Sequence, residues 1–254
     1  MTKRIRLKPH VKIALFVLIA VITWGIVELR YQTRTCNKIL VNIHNPQGNF
    51  FLNETDVLRL LTQDNKEPIL GKSHKELSLK TLEQRLKGNL FVEKCQIARN
   101  LQGDLLVEIV QVRPIARFIR EDKPDFYVDS LGKIIPVSEK FTARVPVVTS
   151  EKMYALPDFQ KNPNDAELLR FLQTIFYDKF LKAQIAQIHL DENQEITLYL
   201  QVGQEKVFLG NIYKFEEKLQ KLKTYYQKIL PNKGWNAYKA IDLQFDRQIL
   251  CKEK

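Results

Sequence analysis

Apolar and polar positions along this 254-residue chain fall into three regimes. Residues 13–27 (IALFVLIAVITWGIV) run without a charge. Residues 39–113 mix short strand patterns with helical stripes. A strand is expected over 39–44 (ILVNIH), followed by turn chemistry at Asn45, Pro46, Gln47, Gly48 and Asn49. Asn53 can cap a helix, with Asp56 three residues on and Val57, Leu58, Leu60 and Leu61 as its apolar stripe. Ser78 can cap a second helix that buries Leu82 and Leu86 and ends at Gly88. Strands over 91–99 and 104–112 follow, the latter with Leu105, Val107 and Ile109 on one face. This order, strand–helix–helix–strand–strand, predicts a three-stranded sheet with two helices on one face.

The third regime begins after Arg113-Pro114. Strands are expected over 115–120, 125–128, 133–137 and 145–148, with a hairpin turn at Asp129-Ser130-Leu131-Gly132. Residues 164–182 read as one helix. A meander is expected over 185–190, 195–202 and 206–209, turning at Asp191 and Gly203. Residues 213–230 read as a Lys-rich amphipathic helix that Pro231 stops. The last expected strand covers 239–246, with Ile241, Leu243 and Phe245 facing one way and Asp242, Gln244 and Asp246 the other. The fold class is therefore α+β: 1–12 as a basic tail, 13–29 as a transmembrane helix, 30–38 as a spacer, 39–113 as a small domain, and 114–254 as a mixed or antiparallel β domain with flanking helices.

Charge fixes the expected topology. Lys3, Arg4, Arg6, Lys8 and Lys12 supply five of the net +11 charges, with no acid among the first twelve residues. The run 13–27 spans about 22 Å against roughly 30 Å of hydrocarbon. Lys12 can snorkel, Trp24 suits the interface, and Glu28 and Arg30 end the run. Positive-inside asymmetry places the tail in the cytoplasm and everything after about residue 29 across the membrane. A cleaved signal would need a small-residue site, and residues 24–29 (WGIVEL) offer none. The remaining positive charge is spread out and no nucleic-acid-reading motif accompanies it. Cys36, Cys95 and Cys251 allow one disulfide with a free thiol, or three thiols.

The chain resembles the FtsQ/DivIB family of bacterial cell-division proteins. Leu82-Glu83-Gln84-Arg85-Leu86 followed by Asn89-Leu90-Phe91-Val92-Glu93-Lys94 is similar to the family's "LE-x-x-L … NP-x-VE" stretch, with Leu90 in place of Pro. Val112-Arg113-Pro114-Ile115-Ala116 resembles "RPVA", and Val128-Asp129-Ser130-Leu131-Gly132-Lys133 resembles "VD-x-x-G". Ile241-Asp242-Leu243-Gln244-Phe245-Asp246 is similar to "VDLRYD", with Gln and Phe for Arg and Tyr. The resemblance implies a POTRA domain over 39–113 and a non-enzymatic divisome scaffold of the cytoplasmic membrane at the septum. It also implies FtsB-like and FtsL-like single-pass partners, bound by strand addition. The expected partner-binding residues are Ala240, Ile241, Asp242, Leu243, Gln244, Phe245 and Asp246, on a last strand with a free edge.

Two other classes compete with this one. An anchored exported enzyme finds no G-x-S-x-G, H-E-x-x-H, P-loop or G-x-G-x-x-G pattern. His44, His74 and His189 read as solvated surface residues, and Asp129 and Asp191 as turn residues. No catalytic residue, metal or cofactor is expected. A POTRA-containing assembly protein of a secretion system would need a transmembrane barrel, for which too little chain remains unless another chain supplies it.

Overall fold

The computed structural model describes residues 9–33, 35–44, 48, 50–151, 156–235 and 237–253, without the side chains of 9, 11, 12 and 27–33. The basic residues Lys3, Arg4, Arg6 and Lys8, the side chains of Lys12, Glu28 and Arg30, and Asn45, Pro46, Gln47 and Asn49 of the expected turn lie outside the described residues. The chain divides into two compact units: Met1–Pro46 with Leu52–Gln111, and Gln47–Phe51 with Val112–Lys254.

A single helix, α1 (Pro9–Thr33), opens the described chain. Its described apolar side chains, from 13 to 26, are exposed on every side. That stretch is about 21 Å long. Among the described residues no helix is long and apolar enough to cross a membrane, so the span expected over 13–29 is not shown.

The first unit is the expected strand–helix–helix–strand–strand: β1 (Ile39–His44), α2 (Glu54–Thr62), α3 (Leu79–Lys87), β2 (Val92–Arg99) and β3 (Leu105–Gln111). β3 lies in the middle, parallel to β1 and antiparallel to β2. Asn53 and Asp56 form the expected capping box, each side chain accepting from the other's backbone N–H at 2.9 and 3.1 Å. Val57 and Leu61 of α2 and Leu82 and Leu86 of α3 are buried with Ile97, Leu105, Val107 and Ile109. Arg85 ties the helices together, donating to the Leu61 carbonyl at 2.9 Å and pairing with Glu67.

His74 corrects one expectation. It is 3% exposed rather than solvated, and its Nε2 lies 3.1 Å from the Gly103 carbonyl. All three cysteines are free thiols, each pushed above its ordinary pKa by burial.

The second unit is built on one nine-stranded mixed sheet. Its strands are β4 (Pro114–Ile119), β5 (Phe126–Asp129), β6 (Ile134–Pro136), β7 (Val147–Ser150), β8 (Ile185–Leu190), β9 (Ile196–Leu200), β10 (Lys206–Gly210), β11 (Tyr238–Asp242) and β12 (Leu250–Glu253). Their spatial order is β12-β11-β10-β9-β8-β7-β4-β5-β6. One core joins the sheet to α4 (Pro163–Tyr177) and α6 (Phe215–Thr224), with Phe171 meeting Phe215 edge-on at 5.4 Å. Asp129 and Asp191 act as turn residues, accepting Leu131 N–H and Asn193 N–H, each at 2.8 Å.

Two long expected elements divide and a third is cut short. The helix expected over 164–182 splits into α4 and α5 (Lys179–Gln184), because Asp178 caps α5 by accepting from Phe180 and Leu181 N–H at 3.0 Å. The helix expected over 213–230 becomes α6, a π-helical turn (Tyr225–Ile229) and α7 (Leu230–Lys233). Pro231 does not stop it. It has no N–H for the carbonyl four residues back, and Leu230 N–H bonds instead to Tyr225, five residues back. The strand expected over 239–246 ends at Asp242.

Candidate partner-binding edge

The end of the sheet is assembled by α6 as much as by strands. β10 and β11 run parallel, so a crossover must join them, and α6 begins it. Lys206, Val207 and Phe208 pair with Ala240, Ile241 and Asp242. β12 then returns antiparallel, setting Lys252, Cys251 and Leu250 beside the same three residues of β11. Side chains alternate across these rungs. Val207 and Ile241 are buried, with Cys251 against the same core. Phe208 and Leu250, one rung on, are exposed with Asp242 between them.

This arrangement corrects the premise of a free edge at 240–246. Ala240, Ile241 and Asp242 lie in β11, which is paired on both sides. The outer edge of the sheet belongs to β12, a strand not anticipated. Its trace in the sequence is faint: apolar Ile249, Leu250 and Cys251 after a polar Asp246-Arg247.

Leu243, Gln244, Phe245 and Asp246 form the connection instead. Leu243 is buried and its N–H reaches the Phe208 carbonyl at 2.9 Å. Asp242 Oδ1 accepts from Gln244 N–H at 2.9 Å, an Asx turn that ends the strand. Arg247 takes a left-handed φ of 58°. Gly210, also left-handed at 71°, lets the connection lie close, since a Cβ there would meet the Gln244 side chain at 2.8 Å. Phe245 was expected on the face shared by Ile241 and Leu243, yet it is 46% exposed.

One lysine of α6 holds this connection, and two others make tertiary contacts elsewhere. Lys221 Nζ donates to the Leu243 and Phe245 carbonyls at 2.5 and 2.6 Å. Lys218 Nζ donates to the Asn211 carbonyl at 2.7 Å. Burial, then the neighbouring Lys221, pulls the Lys218 ammonium below the usual lysine pKa, against Asp246 and Glu195. Lys223 pairs with Asp178. Lys218, Lys221 and Lys223 are thus tertiary fasteners rather than a purely solvated face. A cavity of about 340 Å³ remains beside them, lined in part by Tyr213, Lys214, Asp246 and Arg247.

Residues 113–252 match the model of the family "FtsQ/DivIB, C-terminal related", which covers more than half of the chain. The chain belongs to the FtsQ/DivIB family. Residues 34–110 match the model for a POTRA-like domain, so the fold is α+β, a POTRA-like domain joined to a large β sheet. No curated protein matches the chain. The family is one of non-enzymatic cell-division proteins, and its domains suggest a scaffold role in division. Among the described residues no cluster of His, Cys, Asp or Glu could hold a metal ion.

Proposed function

We propose that this FtsQ/DivIB-family protein is a non-enzymatic divisome scaffold. It binds FtsB-like and FtsL-like single-pass proteins by strand addition at the C-terminal end of its nine-stranded sheet. The observation that carries this reading is β12, an edge strand that begins at exposed Leu250 and follows the connection carrying exposed Phe245. A partner strand there gains main-chain hydrogen bonds from the edge and side-chain contacts from the flanking residues. Phe245 and the connection 243–246 stand beside that edge and take part in the contact, whereas Ala240, Ile241 and Asp242 hold β12 from within.

We also propose that α1 anchors the chain in the cytoplasmic membrane, with the basic tail inside and the two units outside. Apolar side chains exposed on every side of α1 from 13 to 26 support this, because such a surface is unfavourable in water. The test combines topology and position in the native host. A reporter active only outside the cytoplasm, fused after Lys254, should be active, and a fluorescent fusion should gather at the septum. A silent reporter with signal spread evenly along the cell would reject the scaffold reading.

A further inference from the structure

A second cleft, remote from the β12 edge in its lining, belongs wholly to the second unit and has a volume of about 630 Å³. Aromatic rings line it: Phe141, Phe176, and Phe50, which meets Phe141 edge-on at 6.0 Å. Its charged lining residues are Arg144 and Lys182, and no acid is among them. Lys182 Nζ sits 4.2 Å from the Phe176 ring centroid, and the Arg113 guanidinium carbon lies 5.3 Å from the same centroid. Two cations therefore share one ring. Neither they nor Arg144 make an ion pair or hydrogen bond among the described residues.

Half-buried cations ordinarily find a carboxylate, because a ring face replaces only part of their lost hydration. Burial, then Arg113, draws the Lys182 ammonium below the usual lysine value, a repulsion that an anion would relieve. One wall is irregular chain, 141–145, in which Thr142 and Arg144 make no backbone hydrogen bond among the described residues. Free N–H and C=O groups suit another extended peptide backbone and find no match in a lipid acyl chain.

We propose that this cleft binds an extended acidic peptide segment of a partner protein, its carboxylates on Arg113, Arg144 and Lys182 and an apolar side chain against Phe141 and Phe176. The site is separate from the β12 edge and does not depend on it.

The probe is a fluorescein-labelled octapeptide alternating glutamate and phenylalanine, added to the full chain in neutral detergent and followed by anisotropy. It should bind at least about tenfold more tightly than its glutamine counterpart. Lys182→Gln and Arg144→Gln should each weaken it about tenfold, while Lys182→Arg keeps affinity within about threefold. Phe245→Ala should leave it unchanged, which separates this site from the strand edge. Arg144 is exposed, so Arg144→Gln decides the matter if Lys182→Gln fails to fold. Equal binding of the two peptides, or full affinity in both glutamine variants, would overturn the proposal. So would Lys182-dependent binding of dihexanoyl phosphatidylglycerol with none of the acidic peptide, since the occupant would then be a lipid headgroup.

Discussion

The two edges of the nine-stranded sheet are guarded differently. At one end β6 has three residues, Ile134–Pro136, and its proline has no N–H to offer. At the other end β12 has four residues, no proline, and the charged Lys252 and Glu253. Proline refuses any strand permanently. Charge refuses only strands that do not complement it. An edge protected by charge alone, with exposed Leu250 on it and exposed Phe245 in the connection before it, is one that a chosen partner can use.

The largest effect should come from proline in β12. Successive N–H groups on a strand point to opposite sides, so one of Cys251→Pro and Lys252→Pro removes an outward donor. That variant should lose partner capture by about a hundredfold, measured by titration with the partner's isolated segment. Ile134→Pro, at the already guarded edge, should leave capture unchanged. Phe245→Ala should cost about 2 kcal/mol of binding, some thirtyfold. Since Phe245 is half exposed, melting temperature should barely move, and a large drop would return it to the core.

Lys221→Met should have a smaller effect, about fivefold, by freeing the Leu243 and Phe245 carbonyls and loosening the connection. Asp178→Ala should leave capture intact and alter stability alone. Burial raises the Asp178 pKa, but hydrogen bonds from Lys223, Leu181 and Phe180 outweigh it and hold the carboxyl below its ordinary 3.8. Its stabilisation, about 1–2 kcal/mol, is therefore present above pH ~4 and fades as pH falls through the depressed value. Wild type and Asp178→Ala should differ in chemical denaturation at neutral pH and converge as the pH falls through that depressed value.

Much of the first unit was legible because its signals are local. Asn53 with Asp56, Ser78, and the alternation of Leu105, Val107 and Ile109 each declare themselves within a few residues. The second unit hides its decisive features in long-range contacts. Asp178 splits a helix partly because it meets Lys223, 45 residues on. The Lys-rich face of α6 looks solvated until Lys221 is seen to reach the connection after β11. β12 is too short for periodicity to reveal, and only pairing with β11 defines it. His74 gave no sign of burial, since the Gly103 carbonyl it faces is 29 residues away. The family motif at 241–246 therefore falls on β11 and the connection after it, one strand in from the edge of the sheet.

The most direct measurement is site-specific photo-crosslinking in living cells from both edges. A crosslinker at Leu250 or Lys252 should capture small single-pass division proteins, and one at Ile134 or Pro136 should capture none of them. Capture from 134 or 136 with silence at 250 and 252 would contradict the account.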